Sequence, residues 1–298
     1  MLDLADVRIF VKVAELASFT RAAEQLRMPK SKASLRLRAL EDEVGSRLLQ
    51  RTTRAVRLTP DGEQFLTRAR RLVADADELQ SMFEAPSTLR GPVRVDLPVA
   101  IARDIVIPRL PELLAQHPQL EVLLSTTDRR VEVVREGFDC VLRVGALADS
   151  GLVAKRLGRL RMANYASPEY LRKYGTPRTP DDLDRHYLVH YSLSLSDEPT
   201  FEYRDGDRYR ELGMRSLVTV NSTDAYAAAC AAGLGIIQAP AWSRAGTLAR
   251  GDILEILPDY PCAPLAVTLV QGPGRSAPKR VRTVMAWLGQ LLVPLLDE

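Results

Sequence analysis

Residues 20–41 read TRAAEQLRMPKSKASLRLRALE, and the fold turns on how this stretch is read. Between Arg27 and Arg38 stand five basic residues, Arg27, Lys30, Lys32, Arg36 and Arg38, and no acidic one. Threaded through them, Ala33, Leu37, Leu40 and Val44 recur at steps of 4, 3 and 4, the spacing of an apolar helical stripe. One face of such a helix buries against a small core while the other stays cationic and polar, which suits a helix laid in the DNA major groove. A solvated surface helix carries the same pattern. The stretch alone leaves both readings open, and its neighbours decide.

Upstream, Leu4, Val7, Phe10, Val11 and Ala14 share one helical stripe and predict a first amphipathic helix. Ser18 and Thr20 are N-cap types for a second, TRAAEQL, whose small Ala22 and Ala23 permit close helix crossing. Pro29 disfavours helix at Met28 and is comfortable in the first turn of a new helix. Two short helices joined by so tight a turn make a helix-turn-helix, which favours DNA. Downstream, in SRLLQRTTRAVRLTPDG, the apolar pairs around Leu48-Leu49 and Val56–Leu58 flank a basic tip, Arg51-Thr52-Thr53-Arg54. That pattern predicts a hairpin wing, with Arg51 and Arg54 placed to reach phosphates or the minor groove.

The chain has 298 residues, enough for two domains, and the apolar and charged fractions of an ordinary globular protein. Its net charge of +3 is unevenly spread: residues 1–60 hold 12 Lys/Arg against 7 Asp/Glu, and the remainder 29 against 31. A basic end on a near-neutral body predicts one nucleic-acid-facing domain and one with another task. Cys140, Cys230 and Cys262 are far apart and set in apolar surroundings, so they are expected as buried small residues, with no metal site and no disulfide framework. No signal-peptide layout or membrane-length apolar run is seen, and the expectation is a cytoplasmic protein without a membrane partner.

Thr59-Pro60 reads as an N-cap followed by a proline at the first helical position. Beyond it Leu58, Phe65, Leu72 and Leu79 recur at steps of seven with Ala69, Ala76 and Phe83 between them, a heptad pattern that predicts helix pairing. A core helix of the next domain fits the same residues. APSTLRG, residues 85–91, breaks the pattern and marks a boundary. After it, strand-like PVRVDLP, LEVLLST, FDCVLRVG, LVAKRLG, RMANYAS, YLVHYS, LVTVNS and LAVTLVQG alternate with helical segments, as in an α/β domain with a largely parallel sheet. Pro108 and Pro111 must interrupt or restart the helix between the first two strands.

Enzyme readings find little support. GLGI, around Gly233 and Gly235, lacks the spacing of a phosphate loop and reads as a helix end and turn. His186 and His190 form an HxxxH, but Tyr187-Leu188-Val189 between them reads as a strand, which separates the two rings too far for one metal. With three histidines and no nucleophile–base pair, neither catalytic machinery nor a cofactor is expected.

The run from FVKVAELASFTRAAEQL through PKSKASLRLRALEDEVGSRLLQRTTRAVRLTPDG resembles the N-terminal domain of LysR-type transcriptional regulators, nearly gap-free over residues 10–62. The resemblance implies a winged helix-turn-helix over 1–59, all-α apart from its wing, and a long linker helix over 60–85 that dimerises. By matching positions it makes Lys30, Ser31, Ser34 and Arg36 DNA contacts, with Arg38 a further basic candidate. Leu35 stands where the family commonly has Arg, so either a phosphate contact is missing or Leu35 meets a thymine methyl. On the linker helix the implied pairing residues are Phe65, Ala69, Leu72, Ala76, Leu79 and Phe83.

The second half resembles the family's effector domain, itself similar to periplasmic solute-binding proteins, through DRRVEVVREGFDCVLRVG, YASPEYLRKYGTP, VNSTDAYAAACAAGLGI and GDILEILPDY. It implies an α/β domain over 91–298 with two subdomains, about 91–160 with 268–298, and about 161–262. Crossing strands near Leu157–Arg161 and Ala263–Thr268 would join them, with an effector cleft between. Strand-to-helix junctions at Pro98, Val99 and Ala100, at Thr126 and Thr127, and at Asn221, Ser222 and Thr223 would line that cleft with free N–H groups suited to a small carboxylate. The polar members of this set are also ordinary helix caps. Ala100 stands where related regulators often have Ser or Thr, and Arg143 is either a counter-ion for the effector or one half of a salt bridge. The implied function is a regulator that binds double-stranded promoter DNA as a homodimer or homotetramer under control of a small-molecule effector. The rival readings are a solute-binding protein with a basic N-terminal extension and an α/β enzyme tethered to DNA.

Overall fold

The computed structural model of the chain describes residues 2–51, 56–81, 89–147, 152–241, 251–272 and 277–297. Two compact units result, Met1–Thr88 with Glu132–Gly137, and Leu89–Val131 with Phe138–Glu298.

The first unit opens with helices α1 (Leu4–Leu16), α2 (Phe19–Gln25) and α3 (Lys30–Val44). Asp3 caps α1 by accepting from the Ala5 N–H, and Ser18 caps α2 by accepting from the Arg21 N–H. Four residues connect α2 to α3. Arg27 turns the chain there with a positive φ of 52°, and Pro29 stands just before α3 as its N-cap rather than inside its first turn. Gly45 ends α3 in the left-handed conformation that glycine adopts without steric cost. The predicted stripes are mostly realised: Val7, Phe10, Val11, Ala33, Leu37 and Leu40 are buried in one core with Val13 and Ala22, whereas Val44, expected to continue the α3 stripe, is exposed. Ala22 and Ala33 are fully buried, so no side-chain bulk separates the crossing helices.

Strands β1 (Leu49–Arg51) and β2 (Val56–Leu58) pair antiparallel, Leu49 opposite Leu58 and Arg51 opposite Val56, forming the base of the wing. A carboxylate oxygen of Glu41 at the end of α3 accepts from the Leu48 and Leu49 N–H groups, which ties the wing to the helix beside it. Helix α4 (Pro60–Ser81) follows, capped by the Thr59 hydroxyl accepting from the Gly62 N–H at 2.9 Å. Gly62 is required by close approach: a Cβ there would lie 2.0 Å from the Leu48 carbonyl oxygen.

In the second unit a five-stranded sheet has the order β4-β3-β5-β14-β6, built from β3 (Arg90–Leu97), β4 (Gln119–Thr126), β5 (Cys140–Val144), β6 (Ala154–Leu160) and β14 (Leu265–Gln271). Strand β3 runs parallel to β4 and β5, while β14 lies antiparallel to β5 and β6. Between β3 and β4 the helical path is α5 (Val99–Ile101), a π-helical stretch Ala102–Val106, and α6 (Ile107–Gln116). The interruption expected from Pro108 takes the form of that wide turn, in which the Ile107 N–H bonds the Ala102 carbonyl just ahead of the proline, whereas Pro111 lies inside α6 without ending it. The single-turn helix α7 (Val133–Glu136), closed by left-handed Gly137, leaves this unit's chain path and belongs to the first unit.

The other lobe holds β7 (Met162–Ala166), flanked by β12 (Ile237–Pro240) and β13 (Leu254–Ile256), and the parallel pair β8 (Tyr187–Tyr191) and β11 (Arg215–Val220). Helices α8 (Pro168–Tyr174) and α9 (Thr223–Ala231) belong to it, and α10 (Lys279–Leu292) packs on the five-stranded sheet. The hairpin of β9 (Thr200–Asp205) and β10 (Arg208–Gly213) has no counterpart in the sequence reading, although Asp205-Gly206 at its turn is a hairpin signal. Each lobe has its own core: one of Val93, Val95, Leu142, Val267 and Val284, the other in two clusters around Tyr165 and Phe201. All three cysteines are buried, and none of them is in a disulfide. Among the described residues no helix is long and apolar enough to cross a membrane.

Candidate functional site

Helix α3 presents two faces. Taking Lys30 as origin and ~100° per residue, Ser34, Arg38, Ser31 and Leu35 fall within an arc of about 140°, while Ala33, Leu37 and Leu40 cluster within about 60° beside its Lys30 edge. Lys30, Ser31 and Arg38 are exposed, Ser34 is half-buried, and Leu35 is 69% exposed. An apolar side chain so open on a polar arc has no intramolecular packing role.

Arg36 departs from this face. It lies outside the arc, about 100° beyond Leu35 and on the far side of the buried stripe, and its guanidinium is ion-paired with Asp3 and Asp6 at the start of α1. Those carboxylates raise its pKa, the Asp6 hydrogen bond contributing most. As folded, the side chain expected to contact DNA ties the first helix to the third. Arg51 closes β1, and Arg54 lies outside the described residues.

The heptad on α4 is split between two roles. Phe65 packs edge-on against Phe10, with ring centroids 5.2 Å apart, and Ala69 is buried in the same core. Leu72 and Leu79 remain 46% and 66% exposed, and Ala76 is half-buried. Phe83 lies outside the described residues. The N-terminal part of the stripe thus serves the unit's own core and the C-terminal part stays open.

In the second unit the ends of β3 and β4 and the start of α9 converge. Val99, the first residue of α5, donates its N–H to one Asp128 carboxylate oxygen at 3.2 Å. The other oxygen accepts from the Thr223 N–H at 2.7 Å and the Thr223 hydroxyl at 2.9 Å. Two of the three predicted junctions are therefore joined by Asp128, which closes the third, Thr126 to Asp128; the sequence placed it in that junction without giving its carboxylate a role. Its signal was an acid placed directly after the Thr126-Thr127 pair. Ser222 acts as a cap, accepting from the Ala225 N–H at 3.2 Å, whereas Asn221 and Thr126 are exposed. Thr127 is held by its N–H to the Leu97 carbonyl and by its hydroxyl to the Arg129 carbonyl. Pro98 is half-buried and Ala100 buried.

Arg143 is held by the fully buried Asp96 at 3.0 Å and by the Leu142 carbonyl. It takes the salt-bridge role of its two expected roles. Burial pushes the Asp96 carboxyl up, against the lowering effect of the Ser125 hydroxyl and Arg143. Arg103 of the π-helical stretch pairs with Asp104 and, across the junction, with Asp224 in the first turn of α9. Tyr191 at the end of β8 packs on Tyr226, and burial, aided by the Asp128 charge, pushes its phenol up to about 12. His186 shares a hydrogen bond with the Tyr170 hydroxyl, and burial lowers its pKa. It lies just before β8, which carries His190, as the strand reading required.

Two family models match the chain, the bacterial regulatory helix-turn-helix protein of the lysR family over residues 4–63 and the LysR substrate binding domain over residues 86–292. YhjC, an uncharacterised helix-turn-helix-type transcriptional regulator of Escherichia coli, is 41% identical over 98% of both chains. A helix-turn-helix-type transcriptional repressor of Pseudomonas aeruginosa is 33% identical, covering 97% of this chain and 92% of its own. Among solved structures, CrgA, a LysR-type transcriptional regulator from Neisseria meningitidis, superposes with a TM-score of 0.61 at 27% identity, over 97% of this chain and 99% of its own. A solute-binding protein with a basic extension does not account for a helix-turn-helix match at residues 4–63. The chain belongs to the LysR-type transcriptional regulators, DNA-binding proteins with an effector-binding domain.

Proposed function

We propose that α3 reads promoter DNA through Lys30, Ser31, Ser34, Leu35 and Arg38, while Arg51 and Arg54 of the wing contact the flanking backbone. The observation that carries this reading is the exposed arc of α3, polar and basic from Lys30 to Leu35 and separate from the stripe buried in the core. Leu35 in that arc meets a thymine methyl, an apolar readout where an arginine would seek a phosphate or a guanine. Two copies pair through the open part of α4, Leu72, Ala76 and Leu79, and so present two copies of α3 to a partly symmetric site. The protein performs no catalysis and works in the cytoplasm, where promoter DNA is.

The effector site we propose lies where α5 and α9 begin, at Pro98, Val99, Ala100, Thr126, Thr127, Asn221, Ser222 and Thr223, and its ligand is a small carboxylate. Supporting that class, the donors at this junction already hold a carboxylate, that of Asp128.

A gel shift with the DNA upstream of the chain's own gene, run across a range of salt, tests the reading. Neutralising several phosphates releases counterions, so affinity should fall by orders of magnitude, ~10³-fold or more for about six contacts, between 50 and 200 mM salt. A complex that forms without sequence preference, or that ignores salt, would sink it.

A further inference from the structure

Asp128 follows β4 in a loop pinned to the sheet, since the neighbouring Thr127 N–H bonds the Leu97 carbonyl at the end of β3. Its side chain reaches the other lobe, where both Thr223 donors at the start of α9 point at one oxygen. The same carboxylate holds the first N–H of α5. Arg103 and Asp224 make a second tie between the same two parts of the unit. The junction is thus closed by the chain's own anion, seated on the donors that the effector reading assigns to a ligand.

We propose that Asp128 is a built-in competitor for the effector, and that its displacement is what couples ligand binding to loosening of the junction between α9 and the β3–β4 end of the sheet. The inference rests on the effector site proposed above. Two carboxylates cannot share the same N–H and hydroxyl, because like charges at hydrogen-bond range repel strongly. A ligand carboxylate therefore reaches Thr223 only as Asp128 leaves it. Departure of Asp128 removes the two hydrogen bonds from Thr223 that join the lobes, so the ligand-bound and ligand-free chains differ in how firmly α9 is held. That difference is the requirement for any ligand-driven shift between two arrangements. It also sets specificity: a neutral molecule has no group to replace the internal anion at the start of α9. The internal contact lowers apparent ligand affinity by the share of time that Asp128 occupies the site.

The test uses the full chain and amide-resolved hydrogen exchange, with sodium acetate as the carboxylate probe and sodium chloride at equal ionic strength as control. In Asp128→Ala the Thr223 and Val99 amides should exchange about tenfold faster than in the wild type, since their acceptor is gone. The Ala225 amide, which depends on Ser222, should keep its rate. Acetate should then restore slow exchange at Thr223 in the variant and leave the wild type unchanged. Should Asp128→Ala fold poorly by circular dichroism, Asp128→Asn and Thr223→Val take its place; Thr223→Val should speed exchange at residue 223 while leaving Ala225 alone. Equal exchange in wild type and variants, or faster exchange that acetate does not reverse, overturns the proposal. A missing rescue beside intact salt-sensitive DNA binding strikes this inference alone, whereas loss of specific DNA binding strikes the reading beneath it.

Discussion

Arg36 and Leu35 are neighbours with opposite fates. The arginine is folded back onto Asp3 and Asp6, and the leucine stands open where a helix meets DNA. Removing the Arg36 side chain should therefore cost stability rather than selectivity. For ion pairs this exposed the loss is of the order of 1 kcal/mol, read as a fall of a few degrees in melting temperature and diminished by salt. DNA affinity of Arg36→Ala should drop alike for all sequences, with base preference kept. A changed preference in binding assays on single-base variants of the site would return Arg36 to the reading face. The positive charge at position 36 was legible in the sequence, but its partners were not. Asp3 and Asp6 lie on another helix, 33 and 30 residues away, and only the fold brings them near. The role of Asp128 was hidden for a similar reason, because its three donors come from Val99 and Thr223, and no local pattern announces them.

At the scale of elements, periodicity carried the reading far. The stripes of α1 and α3, the wing strands and the Thr59 cap all follow from local residue order, and each is present except at Val44, which ends α3 exposed. The heptad of α4 was legible as a period but not as a destination, since a seven-residue repeat serves a core and a partner helix equally well. Phe65 and Ala69 go inward against α1, and Leu72 and Leu79 stay open. The open pair should hold two subunits together. Leu72→Glu with Leu79→Glu should shift the protein from dimer towards monomer in sedimentation, by tenfold or more in dissociation constant, with little loss of monomer stability because neither side chain is buried. A dimer that tolerates both charges would place the subunit contact elsewhere. The β9–β10 hairpin was missed although Asp205-Gly206 signals it, because its strands are largely exposed and lack the apolar alternation that marks a half-buried strand.

For the whole molecule, the basic end and near-neutral body correspond to a DNA-binding unit and an effector-binding unit, each with its own core. The division was legible because charge, heptad and strand texture all change in order along the chain. The state of the cleft was not, since a helix start that can bind an anion looks the same in sequence whether a ligand or the chain's own Asp128 holds it. The central claim, that one arc of α3 reads bases while Arg36 does not, is tested most directly by selecting bound fragments from random DNA. Wild type, Ser34→Ala, Leu35→Ala and Arg36→Ala would be compared under the same salt. The account predicts a two-part site with half-sites about one helical turn apart or a multiple of it, altered bases within the half-sites for the Ser34 and Leu35 variants, and the wild-type motif for Arg36→Ala. An unchanged motif in the Ser34 and Leu35 variants, or a new one in Arg36→Ala, would contradict it.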